Sequence, residues 1–389
     1  MAAFAKSHKE EPVAGNNYDL IVVGVGAMGS AACRQLALRG KRVLGLERFD
    51  IPHTMGSFHG VNRIIRLAYY EDPSYVPLLR RAYELWRELE TSFGEQLLHI
   101  TGSLDISPRD NWIFEGSLRS CEEHGLPYDV LDHLQLAERY PAFQLPEGHV
   151  GLFQPDGGFL LSERCVVAQV ELAQAAGAEI HAREQVLGWD LTASGVRVET
   201  DRAIYEAERI VLSAGAWMGE MLPALKPLAI PERQVLAWFQ PTAPELFAPE
   251  RFPVFNMEVD EGRYYGFPVY GIPGFKVGRY HHFHETVDPE TMDREPTRAD
   301  EEVLRTYASR YFPDSNGPVM ALKSCIFTNT PDEHFIIDTL PGEDRVIVAS
   351  PCSGHGFKFA AVIGEILADL AVDGSTRHDI GLFKLDRFQ

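Results

Sequence analysis

Three glycines near the start of the chain constrain its fold more than any other feature. Gly24, Gly26 and Gly29 stand in the run Gly24-Val25-Gly26-Ala27-Met28-Gly29, directly after the apolar stretch Asp19-Leu20-Ile21-Val22-Val23. That stretch is too short for a helix and suits a buried parallel strand. A small-residue helix is predicted from Ser30 to about Leu38, stopped by Gly40, and Arg42 to Glu47 reads as a second strand. The result is one βαβ unit. In such a unit the first glycine makes a tight turn, the second lets backbone approach a diphosphate, and the third lets helix pack on strand. The helix N-terminus offers free N–H groups and a positive dipole end to the phosphates. Glu47 falls about 20 residues on, where a carboxylate accepts hydrogen bonds from ribose hydroxyls and disfavours a 2′-phosphate. NAD and FAD both meet this pattern. The position near the N-terminus and the later turn Ala214-Gly215-Ala216-Trp217 favour FAD.

The rest of the chain departs from this start. At 389 residues it is long enough for two or three units. Helices are predicted over 75–92, 164–176 and from the turn at 353–356 to about Val372, with buried strands at 208–213 and 345–349. Between about 228 and 320 proline and aromatic residues accumulate, with short alternating strands such as Arg263-Tyr264-Tyr265-Gly266-Phe267, which predicts an antiparallel sheet. The expected fold is α/β, α+β overall: a Rossmann-like FAD-binding domain with a second, antiparallel-sheet substrate domain. Because the two patterns interleave, the FAD-binding domain is expected to be discontinuous, over 18–98, 156–230 and 331–389, with 99–155 and 231–330 forming the substrate domain and 1–17 a disordered tail.

A net charge of −20 argues against nucleic acid or an anionic membrane as partner. The five cysteines are odd in number, widely spaced and form no CxxC, which suits neither a disulfide framework nor a zinc site and points to the cytoplasm, with no metal expected. No apolar run approaches the roughly 20 residues that span a bilayer. The first residues lack the apolar core of a signal peptide.

Three further segments carry a resemblance. The run His53-Thr54-Met55-Gly56-Ser57-Phe58-His59-Gly60-Val61-Asn62-Arg63-Ile64-Ile65-Arg66 resembles the flavin-contacting segment of monomeric sarcosine oxidases. Cys325-Ile326-Phe327-Thr328-Asn329-Thr330-Pro331-Asp332-Glu333-His334-Phe335-Ile336-Ile337-Asp338 resembles their cysteinyl-flavin segment, and Ser353-Gly354-His355-Gly356-Phe357-Lys358 their turn over the pyrimidine edge of the flavin. The likeness runs in order from Tyr18 to the C-terminus, and the closing Phe-Lys-Leu-Asp-Arg-Phe-Gln and the Phe-Ile-Ile-Asp-Thr-Leu-Pro-Gly run look closest to the N-methyltryptophan oxidase branch. The family also includes pipecolate oxidases.

The resemblance implies a monomeric flavoprotein that oxidises a secondary amino acid to an imine, with oxygen reduced to hydrogen peroxide. It implies FAD held covalently through Cys325, whereas cysteine as such is more often a buried apolar residue. It places His59, Asn62, Arg63, Gly354, His355, Gly356, Phe357 and Lys358 at the flavin, with Arg66 and Lys358 as a clamp on the substrate carboxylate. Lys276 matches the lysine that activates oxygen: a fixed cation stabilises superoxide charge as it forms. Tyr265 and His281 match substrate-pocket positions, although Arg279 is an extra residue and His282 competes with His281. Two departures bear on substrate. Phe327 stands where relatives carry tyrosine, and Pro351-Cys352 replaces a Gly-Phe pair, which opens space and favours a larger apolar side chain over sarcosine. Two other readings survive this stage: a related dehydrogenase that passes electrons to a carrier, and a silent flavin- or NAD-binding regulator.

Overall fold

A computed structural model describes residues 17–388. The expected tail, 1–17, lies outside the described residues except for Asn17, which already opens the first strand, Asn17–Val23. That strand pairs in parallel with Val43–Leu46 on one side and Ile204–Leu212 on the other. Glu179–His181 and Glu343–Ser350 extend the parallel array at its two sides. The first strand over Leu20 to Val23 and the whole of the second are buried because helices cover the sheet, which is why these stretches are apolar runs rather than alternations. The helix Ala27–Leu38 begins inside the glycine turn, earlier than Ser30, and packs against the helices Ser162–Ala175 and Ala360–Asp373. Contact is close: a Cβ on Gly364 would lie 2.6 Å from the Ala31 backbone. The last helix ends at Gly374, whose left-handed φ of 74° closes it.

A second eight-stranded sheet runs in the order Val319–Asn329, Ile230–Phe239, Phe275–Arg279, Gly262–Phe267, Val254–Val259, Ser103–Pro108, His149–Gln154, Asp129–Asp132. Strands between 103 and 154 thus join the sheet formed by strands between 230 and 329. One pair, Val254–Val259 with Ser103–Pro108, is parallel, where the sequence pattern predicted an antiparallel sheet throughout. These two strands come from distant parts of the chain, so no hairpin turn dictates their relative direction. A three-stranded sheet, Asn62–Ile65 with Gly158–Leu161 and Leu98–Ile100, completes the strand architecture.

One face of the second sheet is chemically distinct. Register pairs Phe267 with Lys276 and Tyr265 with Gly278, and the Tyr280 N–H donates to the Arg263 carbonyl. Since side chains alternate across a strand, Arg263, Tyr265 and Phe267 share a face with Lys276, Gly278 and Tyr280. On the neighbouring strands Trp238 pairs with Lys276, and Gln234 with Cys325. The same face therefore carries Cys325 and Phe327.

Candidate active site

A cavity of about 1270 Å³ opens at the C-terminal ends of the parallel strands, lined by Gly24, Gly26, Glu47, Ala216, Cys352 and Gly354 among others. The glycines divide their work as their spacing implies. A Cβ on Gly24 would meet the Ser213 carbonyl oxygen at 2.7 Å, and one on Gly29 would lie 1.8 Å from the Gly24 carbonyl oxygen. Gly26 instead borders the cavity, with the Phe58 ring 3.6 Å from its missing Cβ. Glu47 is buried and accepts from the backbone N–H groups of Val25 at 2.9 Å and Phe49 at 3.0 Å. Burial raises its carboxyl above the usual range, against the pull of those N–H donors.

Beyond the βαβ unit the cavity reaches Arg63, Phe327, Gly356 and Phe357. Gly354 has φ of 75°, and a Cβ there would press on the Phe327 ring at 2.7 Å. His355 is held between the Tyr69 hydroxyl, 2.6 Å from Nδ1, and the Glu333 carbonyl, 2.9 Å from Nε2. Burial lowers it to about 4, so it is neutral and supports the turn. Cys325 is buried, with Sγ 3.7 Å from Arg63 Nη2. His59 is buried with both ring nitrogens lacking a partner among the described residues, and burial lowers it to about 3.

Lys276 is fully buried on the sheet face. Its Nζ donates to the Gly60 carbonyl at 2.8 Å, the Asn62 carbonyl at 2.7 Å and Asn62 Oδ1 at 2.8 Å. These acceptors use all three donors of an ammonium. Burial and Arg63 pull its proton affinity well below normal, and the three oxygen acceptors oppose that pull by favouring the charged form. The cradle exists because Gly60 and Val61 both take positive φ, 99° and 75°. Val61 tolerates this left-handed backbone while the Glu163 carboxylate accepts from both N–H groups, at 2.6 and 3.1 Å.

The expected clamp differs from two free cations. Arg66 lies between the rings of Tyr69 and Tyr70, its Cζ 4.3 and 3.9 Å from their centroids. Its Nη2 donates to both oxygens of Glu71, at 2.9 and 2.7 Å. Burial alone would raise the Glu71 carboxyl, but Arg66 outweighs it and holds it low. Lys358 donates to the His355 carbonyl at 2.6 Å; burial and Arg66 bring it down to about 7. The uncompensated positive charge of the trio therefore resides on Lys358.

Tyr265 lies over Gly278, where a Cβ would come within 2.5 Å of its ring and hydroxyl. His281 does not share that wall. It takes φ of 51° and bridges Glu232, at 3.0 Å, and Glu333, at 3.0 Å, which together raise it to about 9. His282 is buried against Asp300. Neither candidate histidine fills the position. Tyr280, on the face of Lys276 and Gly278, turns inward instead, its ring centroid 5.0 Å from that of Tyr265 and 6.0 Å from that of Phe327. Counting in twos from Lys276 would have found it. Glu71 and Glu163 lie outside any such periodicity, and no sequence signal marked them.

A family model described as FAD dependent oxidoreductase matches residues 19–370. This chain belongs to that family. Among its relatives, the FAD dependent oxidoreductase is 41% identical to a monomeric sarcosine oxidase of Bacillus sp. (strain B-0618) over 95% of this chain and 96% of the relative. The figure is 42% for a monomeric sarcosine oxidase of Streptomyces avermitilis, over 94% and 96% of the two chains. For an N-methyl-L-tryptophan oxidase of Yersinia pestis (strain Pestoides F) it is 36%, over 96% and 100%. Identity over the whole chain is thus higher to these sarcosine oxidases than to that N-methyl-L-tryptophan oxidase. NikD, an unusual amino acid oxidase essential for nikkomycin biosynthesis, has a similar structure in its open form. Its TM-score is 0.83 at 28% identity, covering 95% of this chain and 97% of that one. L-proline dehydrogenase from P. horikoshii shares the fold, with a TM-score of 0.83 at 22% identity, over 96% and 98% of the chains.

The residues present fit FAD. The cavity is long enough to pass from the glycine turn to Phe327, Glu47 is a buried acceptor at its ribose end, and His59 contributes two unpartnered buried nitrogens. Among the described residues no helix is long and apolar enough to cross a membrane.

Proposed function

We propose that this FAD dependent oxidoreductase oxidises the C–N bond of N-methyl or cyclic secondary α-amino acids. The imine product hydrolyses, N-methyl substrates releasing formaldehyde, and oxygen is reduced to hydrogen peroxide. The observation that carries the reading is Lys276: a buried ammonium on the same sheet face as Cys325, held by the backbone of the segment expected to contact flavin. When bound, FAD accepts two electrons from the amine and delivers them to oxygen.

The chain's own residues do the rest. Lys358, with the Arg66–Glu71 pair fixed behind it, holds the substrate carboxylate as a point charge in a dry site. Tyr265 and Tyr280 form the wall beside it and exclude water. Lys276 keeps a positive charge where oxygen gains electrons. Cys325 would tether FAD through a thioether, with Arg63, His59 and Asn62 along the same edge. The free cysteines suit a reducing cytoplasm, and the names of the sarcosine oxidases support a monomer.

The experiment is peroxide release in air from a panel of N-methyl amino acids and pipecolate, alongside acid precipitation of the yellow protein. Turnover of secondary amino acids, with the flavin mass on a peptide containing Cys325, is the expected result. Substrate-dependent bleaching without peroxide would instead indicate a carrier-linked dehydrogenase. A colourless pellet would remove the covalent link, and no bleaching by any amino acid would remove the enzymatic reading.

A further inference from the structure

We infer that Arg263 forms an anion subsite on the wall of the amine pocket, and that the preferred substrate is a secondary α-amino acid whose side chain ends in a carboxylate. The inference rests on the amino acid oxidase reading above and deepens it by naming the substrate class.

Its position follows from strand geometry. Phe267, whose ring lies 4.1 Å from Lys276 Nζ, marks the oxygen end of the sheet face. Tyr265 comes next on that face and Arg263 after it, each step about 7 Å along the strand. Arg263 therefore lies one step beyond the tyrosine wall, where the end of a short aliphatic side chain would arrive.

The surroundings of the guanidinium select its ligand. Its Cζ lies 3.9 Å from the Tyr280 ring centroid and 5.3 Å from that of Trp112. At 3.9 Å the cation rests on the phenol ring, which engages its π face and leaves the N–H donors at its edge unused. Among the described residues the Arg263 side chain donates no hydrogen bond. Its ionic partner, Glu333 Oε2, is 3.6 Å from Nη2, beyond hydrogen-bond reach. Glu333 has a closer cation of its own in His281, 3.0 Å from the other oxygen. Yet the Arg263 side chain is only 11% exposed. A largely buried guanidinium with free in-plane donors is a receptor for a planar anion bound edge-on, which a carboxylate satisfies with two parallel hydrogen bonds. A neutral aromatic side chain would have to compete with Tyr280 for the face already covered. Cys352 pointed to a larger apolar side chain; Arg263 adds a charge to the wall made by Tyr280, whose ring centroid lies 6.0 Å from that of Phe327.

The test compares N-methyl-L-glutamate with N-methyl-L-glutamine, which match in size and differ in charge, using the flavin-loaded enzyme and peroxide release. The acid is expected to exceed the amide by about tenfold or more in kcat/KM, mainly through KM. In Arg263→Gln the ratio should collapse toward unity, and Arg263→Lys should keep part of it, because a point charge attracts without the two-point fit. A ratio near one in the parent enzyme, or N-methyl-L-tryptophan outperforming the acid, overturns the subsite while leaving the oxidase intact. Failure to oxidise any secondary amino acid removes the oxidase reading and the subsite with it.

Discussion

Lys276 and Lys358 are both buried cations in one site, yet the number of acceptors each ammonium meets sets them apart. Lys276 has three oxygen acceptors and Lys358 one hydrogen-bonded carbonyl with Arg66 nearby. Lys276 is thus built to stay in place whatever the substrate does. Lys276→Met is expected to slow reoxidation of reduced flavin by orders of magnitude, each factor of ten being about 1.4 kcal/mol, with a smaller effect on anaerobic reduction. Stopped-flow absorbance separates the two half-reactions, and equal losses in both would contradict the oxygen role. Lys358 is built to respond. Its ammonium, lowered to about 7 by burial and Arg66, is charged below that pH and neutral above it. A bound carboxylate favours the charged form, so binding must take up a proton at higher pH. The Kd of a non-reactive carboxylate such as propionate, read from the flavin spectrum, should therefore rise with pH above about 7, approaching tenfold per pH unit. Lys358→Met should bind more weakly with no such slope.

The strand Ile230–Phe239 links the flavin-facing wall to the outside of the second sheet through alternate residues. Gln234 pairs with Cys325, while Arg233 points the other way and meets Asp300 at 2.9 and 3.0 Å. Asp300 also caps the helix Arg298–Tyr311, accepting from the Thr297 N–H, and receives His282 Nε2 at 2.9 Å. One carboxylate thus ties a central strand, a helix start and the loop after Tyr280. Burial would push this carboxyl up, but Arg233 and Thr297 hold it well below the usual range. Asp300→Asn leaves the buried Arg233 with only the more distant Glu285, at 3.9 Å, as a charge partner, and is expected to cost roughly 3 kcal/mol at neutral pH. A group depressed in the folded state stabilises fully above its unfolded value, and that stability is lost as pH falls through the folded value. Thermal melts should show the gap between parent and variant closing only in strong acid. A gap that is small at neutral pH would show the tie to be unimportant.

The cavity lies where two sheets of different design meet. The parallel sheet supplies Gly24, Gly26 and Glu47, while Phe327 reaches it from the antiparallel side two residues beyond Cys325. A ligand that touches both binds the folded molecule and not the unfolded chain. It stabilises by mass action, about 2.7 kcal/mol at a hundredfold excess over Kd. Cys325→Ser is expected to fold and to accept FAD reversibly, with a melting temperature that climbs with added FAD. The parent enzyme, with flavin attached, should show no such dependence. Release of FAD from the parent on denaturation would refute the tether.

What the sequence by itself determined is the set of features that local rules enforce. The glycine turn could be read at Gly24, Gly26 and Gly29 because backbone clashes of 2.7 and 1.8 Å forbid a Cβ at the first and third. The parallel strands could be read because burial on both faces leaves an unbroken apolar run. Resemblance then supplied names for Cys325, Lys276 and Lys358. The tertiary structure decided which side chains meet. Arg66 could be singled out as a cation, but its partner Glu71 became visible only once the loop after the Asn62–Ile65 strand folded back over Tyr69 and Tyr70. His281 carried the right residue type, yet Tyr280, two residues beyond Gly278 on the same face, is the side chain that meets Tyr265. Arg263 was legible only as part of an alternating strand, and that Tyr280 lies on it at 3.9 Å follows from the pairing of two strands. A side chain's chemistry is written in its own residue, whereas its partners depend on register and on distant segments, which no single window of sequence contains.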